Sequence, residues 1–270
     1  MNTRHTRLRS ILTGLMLSML TAQDPFVIDT SLSNSLPQSI ANSIEIADVD
    51  NDGYNDIIMS GYDSTRFGLF IDVTKVNSQG GLTSGFSTNF ITYPDTIAEF
   101  SGGLGNVDLS DVNLDGSIDI YLNGSARSEL LMNSSSGYFS ESNWLQNMFV
   151  IHSNGKWGDV NMDGKPDLFL MGVKQPADNI LNELYLNTGT YLDEDPTTIF
   201  PALFTGSSAW GDYDNDGDPD LIIGGQTANP NSSVTRLYQN DPIGRLTEVT
   251  TADAISGIKS GAFHFSDLDS

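Results

Sequence analysis

Carboxylates recur in this chain at a spacing that suits a hard cation. In Asp212-Tyr-Asp214-Asn-Asp216-Gly217-Asp218-Pro-Asp220, five acidic side chains fall within nine positions. Two carboxylates about 4 Å apart repel by roughly 4 kcal/mol at an effective dielectric of about 20. A tight turn that gathers several of them calls for a cation. The alternate residues Asp212, Asp214 and Asp216 can point inward together, and Gly217 permits the positive φ that a sharp turn needs. Oxygen donors with no His or Cys among them suit Ca²⁺, with Mg²⁺ a weaker match.

The same nine-residue pattern occurs three more times. Loop one is Asp48-Val-Asp50-Asn-Asp52-Gly53-Tyr54-Asn-Asp56, and loop two is Asp111-Val-Asn113-Leu-Asp115-Gly116-Ser117-Ile-Asp119. Loop three is Asp159-Val-Asn161-Met-Asp163-Gly164-Lys165-Pro-Asp167, and the Asp212 stretch is loop four. A fifth opens at Asp267-Leu-Asp269. Positions one, three, five and nine offer side-chain oxygens. Position seven offers a backbone carbonyl, from Tyr54, Ser117, Lys165 and Asp218. Loops one and four carry four carboxylates at the side-chain positions; loops two and three carry three and an Asn. Ligand charge tunes calcium affinity, so loops one and four are expected to bind more tightly. The competing reading, an acidic hairpin turn with no metal, fits one loop better than four matched copies.

An EF-hand loop needs a Glu at position twelve and a helix on each side. Here position twelve is Met59, Leu122, Leu170 and Ile223, all apolar. The first positions lie 63, 48, 53 and 55 residues apart. That period points to a repeat architecture. It also excludes a nine-residue calcium-binding repeat.

The elements that must hold the loops are strands. An apolar run follows each loop at once, at 56–60, 119–122, 167–171 and 220–224. Continuous apolar character fits strands buried on both faces. The fourth repeat shows four strand-like runs, 208–212, 220–224, 234–239 and 246–250, with Gly, Asn, Asp and Pro between them. No amphipathic helix of useful length stands out. The expected fold is all-β, built of four-stranded antiparallel units.

The pattern D-x-[DN]-x-D-G-x-x-D followed by an apolar strand resembles the FG-GAP/VCBS repeat, which builds the calcium-binding β-propeller of the integrin alpha-chain head. Trp157-Gly158-Asp159 and Trp210-Gly211-Asp212 resemble its aromatic-Gly lead-in. Glu183-Leu-Tyr-Leu-Asn187-Thr-Gly189 and Arg236-Leu-Tyr-Gln-Asn240 resemble the strand and turn that follow, and Leu246-Thr-Glu-Val-Thr250 the last strand of a blade. The resemblance covers roughly residues 40–270. It implies a β-propeller with one Ca²⁺ tying the turn between the first two strands of each blade, about four sites in all. Two departures stand out: Asn113 and Asn161 replace Asp at position three, and the first two blades lack the Trp-Gly lead-in.

Residues 1–22 read as a secretory signal peptide. Arg4, Arg7 and Arg9 precede an apolar stretch over 11–20, too short to span a bilayer, and Ala22 suits cleavage. Residues 23–270 then hold the partial propeller, opening with a segment over 23–40 that could complete a later blade. About four blades and the start of a fifth are present, so the chain is expected to be a fragment of a longer ring, seven-bladed by the resemblance. The net charge is −23, from 35 acidic against 12 basic residues. Such acidity argues against nucleic acid and anionic membranes as partners. The absence of Cys removes disulfides and thiol chemistry.

Catalytic motifs are missing: there is no H-E-x-x-H, no G-x-S-x-G and no phosphate-cradling glycine loop. His152 and His264 are isolated. Trp144, Trp157 and Trp210 could stack on sugars, but the repeated position of the last two favours packing between blades. Asn123, Asn133 and Asn231 begin glycosylation sequons that chance explains in a chain rich in Asn and Ser. The expectation is a secreted or cell-surface calcium-binding propeller, not an enzyme, that serves adhesion or recognition of a protein or carbohydrate ligand. Two alternatives stay open. One is a polysaccharide lyase or glycoside hydrolase on the same scaffold, and the other is a spacer in a larger surface protein.

Overall fold

A computed structural model describes residues 40–63, 68–78, 81–92, 106–123, 128–135, 137–145, 150–174, 179–228, 232–250, 255–259 and 261–266. The chain divides into two units, 1–37 and 38–270, and only the second contains described residues. The signal peptide over 1–22, almost all of the 23–40 segment and the fifth loop at Asp267 lie outside the described residues.

Among the described residues sixteen strands form four sheets, each a four-stranded antiparallel meander in chain order. Sheet one holds β1 (Ile40–Ala47), β2 (Asp56–Asp63), β3 (Gly68–Val76) and β4 (Leu82–Thr92). Sheet two holds β5 (Asn106–Ser110), β6 (Asp119–Asn123), β7 (Glu129–Asn133) and β8 (Phe139–Glu141). Sheet three holds β9 (Val150–Gly158), β10 (Asp167–Lys174), β11 (Asn179–Asn187) and β12 (Leu192–Asp195). Sheet four holds β13 (Leu203–Gly211), β14 (Asp220–Thr227), β15 (Ser233–Gln239) and β16 (Thr247–Glu248). No described residue is in an α-helix, and none belongs to a helix long and apolar enough to cross a membrane.

The second strands explain the apolar runs. Side chains alternate faces along a strand, and each second strand is buried on both. Ile120 and Leu122 of β6 point into a core shared with Ile58, Ile71 and Val73 of sheet one. Tyr121, between them, packs with Leu168, Leu170 and Tyr185 of sheet three. Phe169 and Met171 of β10 meet Leu221, Ile223 and Tyr238 of sheet four. One strand thus serves two interfaces. Each fully buried Leu or Ile contributes roughly 1.5–3 kcal/mol.

The aromatic lead-in residues bind sheet to sheet. Trp210 lies against Gly158, where an added Cβ would sit 2.7 Å from the indole, and its Nε1 donates to the Lys156 carbonyl at 3.1 Å. Trp157 meets Tyr121 edge-on, with ring centroids 5.7 Å apart. Trp144 is partly buried against the same core. In the first two sheets Ile46-Ala47 and Leu109-Ser110 take the lead-in positions. The repeat therefore tolerates an aliphatic side chain there. The sequons at Asn123 and Asn133 fall on buried side chains, so neither offers an accessible amide; Asn231 lies outside the described residues.

The first strand of sheet four runs longer than the sequence pattern suggests. β13 begins at Leu203, not at 208, because a register shift between Leu203 and Thr205 lets the chain continue pairing with β14. A bulge adds a residue without ending the ladder, and alternation counted from the sequence breaks at that point.

Candidate metal centres

Each of the four complete loops connects the first and second strands of one sheet. Their backbones match closely. Position four has φ of +58, +58, +56 and +61° at Asn51, Leu114, Met162 and Asn215. Position six is Gly at +89, +86, +86 and +99°. Left-handed backbone costs an L-residue about 1–2 kcal/mol, least for Asn.

Position one organises the turn. In loop two, Asp111 Oδ1 accepts the Asp115 amide at 3.0 Å and Oδ2 accepts the Gly116 amide at 2.8 Å. The same pair is made by Asp48, Asp159 and Asp212. At position three, Asp50, Asn113 and Asn161 accept the position-five amide as well. Position five accepts the position-seven amide through Oδ1 in every loop, from Asp52, Asp115, Asp163 and Asp216.

Position nine is buried and does something that spacing does not reveal. Asp56, Asp119, Asp167 and Asp220 are fully covered. One oxygen of each accepts the amide of position two, at Val49, Val112, Val160 and Tyr213. The other accepts an amide beyond the next hairpin, at Val76, Asn133, Asn187 and Asn240. These carboxylates lock the loop to the end of the third strand. Desolvation pushes Asp119 and Asp167 up to about 6, and it raises Asp56 and Asp220 as well. Backbone hydrogen bonds pull all four partway back.

The remaining oxygens separate the loops. In loop one, ligand atoms of Asp48, Asp50 and Asp56 come within 4.8 Å of one another, as do those of Asp212, Asp214 and Asp216 in loop four. Among the described residues no such acidic trio forms in loops two and three, where Asn113 and Asn161 stand at position three. Neighbours also differ. Lys75 of β3 pairs with Asp50 at 2.9 Å, and Lys165 with Asp163 at 2.6 Å. Asn113 donates to Asp115 at 3.0 Å, and Gln239 to Asp214 at 2.6 Å.

Position seven also departs from a purely backbone role. Asp218 is buried, and its Oδ1 has no hydrogen-bond donor. Desolvation, then the Asp216 charge and hydrogen bond, push its carboxyl up to about 6. Ser117 Oγ is likewise buried without a partner. Tyr54 is exposed and Lys165 half-buried. Loop four therefore gathers a fifth carboxylate, counted in the sequence only as a carbonyl donor. The Asp212, Asp214 and Asp216 trio, with a further buried and unpartnered carboxylate oxygen at Asp218, makes loop four the best fit to Ca²⁺ of the four.

Three asparagines complete the arrangement. Asn133 and Asn187 end the third strands of their sheets, Asn240 directly follows that of sheet four, and all three are buried. Each Nδ2 donates to the position-two carbonyl of the preceding loop: to Val49 at 2.6 Å, Val112 at 2.8 Å and Val160 at 2.7 Å. Asn187 and Asn240 recur visibly in the sequence. Their partners, 75 and 80 residues away, do not.

Residues 159–223 match the family model of the FG-GAP-like repeat. No curated protein matches the chain in sequence. Among solved structures it is similar to an Agrocybe aegerita lectin described as recognising non-reducing terminal N-acetylglucosamine. That match has 18% identity and a TM-score of 0.44, and it covers 75% of this chain and 49% of the lectin. It is also similar to the V. cholerae biofilm matrix protein Bap1, at 18% identity and a TM-score of 0.40, over 76% of this chain and 27% of that one. The chain thus spans about half the length of the first and about a quarter of the second.

Proposed function

For a chain that carries an FG-GAP-like repeat over residues 159–223, we propose a calcium-binding β-propeller scaffold, secreted or displayed at the cell surface, that recognises a protein or carbohydrate ligand. Binding rather than catalysis is its role. Loop four carries the reading: three carboxylates converge within 4.8 Å, and Asp218 adds a buried oxygen without a donor. Asp212, Asp214, Asp216 and Asp220, with Asp218, would hold Ca²⁺ there. Loop one would use Asp48, Asp50, Asp52 and Asp56 with the Tyr54 carbonyl. Loops two and three would bind through Asp111, Asn113, Asp115, Ser117 and Asp119, and through Asp159, Asn161, Asp163, Lys165 and Asp167. The ion supplies charge neutralisation and a rigid turn between the first two strands. Extracellular modules bind calcium at about 10⁻⁴–10⁻³ M, a range in which such sites stay filled outside cells.

Calcium-dependent thermal unfolding, with metal analysis of the purified chain, tests this. Millimolar Ca²⁺ is expected to raise the melting temperature by several degrees, and Asp214→Asn/Asp216→Asn to blunt the rise. A chain that neither retains nor responds to Ca²⁺ would sink the calcium reading.

A further inference from the structure

We propose that Asn133, Asn187 and Asn240 are positioning residues that couple cation binding between neighbouring loops. The inference rests on the calcium reading and deepens it.

The hydrogen bonds form a continuous series. Val112 shows how one link works. Its N–H donates to Asp119 of its own loop at 2.9 Å, and its carbonyl accepts Asn187 Nδ2 of the next sheet at 2.8 Å. The Asn187 amide in turn donates to Asp167 Oδ1 of loop three at 2.7 Å, and the same Nδ2 reaches the Pro166 carbonyl at 3.0 Å. Asn187 is thus gripped by loop three and grips loop two. Asn133 joins loops two and one in the same way, through Asp119 and Val49, with a second contact to the Ile118 carbonyl. Asn240 joins loops four and three through Asp220 and Val160. In sheet one the corresponding amide, on Val76, still binds Asp56, but the side chain has no amide to pass the link on.

The link meets the cation site on both sides. Position two lies between Asp111 and Asn113, two proposed ligands. Position nine is a proposed ligand in the other loop. A cation that fixes Asp167 therefore fixes the Asn187 backbone, and through its rigid, buried amide the Val112 peptide of loop two. A group held at two ends moves only if both ends move. Binding at one loop then lowers the cost of ordering the next, which is a coupling free energy between sites.

The position-six glycine amides, Gly53, Gly116, Gly164 and Gly217, give one NMR reporter per loop. Ca²⁺ titrations of the full chain are compared with Asp163→Asn, Asn187→Ala and the double variant. Asp163→Asn disables loop three, and it is expected to weaken calcium binding reported by Gly116 by about fivefold or more, the lower end of usual coupling. In the Asn187→Ala background the same change is expected to leave the Gly116 titration unmoved. An equal shift in both backgrounds overturns the coupling. Glycine signals that ignore Ca²⁺ in the unmodified chain overturn the calcium reading and the coupling with it. Amide exchange in chelator then decides the positioning role alone. Asn187→Ala is expected to speed exchange at Val112, Asp115 and Gly116, and Asn240→Ala at Val160, Asp163 and Gly164. Exchange raised evenly over all four loops by either variant would mean that the asparagines serve general stability only.

Discussion

Loops three and four share a backbone and differ in charge. Both turn through a left-handed residue and a glycine, Met162-Asp-Gly164 and Asn215-Asp-Gly217. Both are clamped by a position-one carboxylate on two loop amides and by a buried position-nine carboxylate on two more. Loop three, however, has Asn161 at position three and an ammonium on Asp163. Loop four has Asp214, which accepts the Gln239 amide, and the buried Asp218. Geometry is therefore set by positions one, six and nine, and the charge of the loop by positions three and seven. A loop can keep its shape after losing part of its charge.

The sharpest break in that comparison is at position nine. Asp167→Ala and Asp220→Ala each strand two backbone amides, and a buried donor left unmade costs about 1–3 kcal/mol. Each variant is expected to lose about 2–5 kcal/mol in chelator, read by denaturant unfolding. The two losses are expected to be alike despite the different charges of the loops. A large loss at Asp220 with none at Asp167 would mean that position nine serves the cation, not the turn.

Affinity is where the loops are expected to part. Asn161→Asp with Lys165→Gln gives loop three the charge pattern of loop one. Calcium binding reported by the Gly164 amide is expected to tighten about tenfold, a change of about 1.4 kcal/mol. Asp214→Asn is expected to weaken loop four by a similar factor. If neither moves affinity, charge at position three is irrelevant and the ranking of the loops falls.

The pH response separates the clamps from the ligands. Burial raises Asp119 and Asp167 to about 6, above their unfolded values. A raised carboxyl contributes stability when protonated, and that contribution is lost as pH climbs from about 4 through 6. In chelator the melting temperature is thus expected to rise by a few degrees between pH 7.5 and pH 5. Asp163 behaves oppositely. Burial opposes the shift, but the hydrogen bonds from Lys165 outweigh it and hold the carboxyl below its usual range. Its contribution is present above about pH 4 and is lost only in stronger acid. Millimolar Ca²⁺ is expected to flatten or reverse the rise toward pH 5, because a bound cation favours the ionised carboxylates. A melting temperature that falls steadily from pH 7.5 to 5 in chelator would contradict the burial effect.

Much of this was legible in the residues. Three to five carboxylates in nine positions, in four matched copies, announced the loops, and the apolar runs behind them announced second strands buried on both faces. Trp157 and Trp210 showed a repeated interface by recurring at one place. What stayed hidden was whatever depends on contacts far along the chain. The recurrence of Asn187 and Asn240 was visible, but not that each amide closes on the preceding loop. Lys75 meets Asp50 across a hairpin and a strand, so spacing did not place an ammonium in loop one. Asp218 reads in the sequence only as a backbone-carbonyl donor, because nothing local distinguishes a buried carboxylate from an exposed one.

The smallest effect tests the shared backbone itself. Position four is left-handed in every loop, filled by Asn in loops one and four and by Leu114 and Met162 in loops two and three. Both apolar side chains are about half exposed, 54% and 50%, so little core packing repays the strain. Asn adopts this conformation more readily because its short amide can bond locally. Met162→Asn is expected to stabilise the chain by about 0.5–1 kcal/mol, and Asn215→Met to destabilise it by as much. Calcium affinity is expected to change in neither, since position four offers no ligand. A loss of stability in Met162→Asn would show that the exposed methionine makes contacts worth more than its strained backbone. Shape and side chain at the loop tips would then no longer be separable, and the contrast between loops three and four would extend beyond charge.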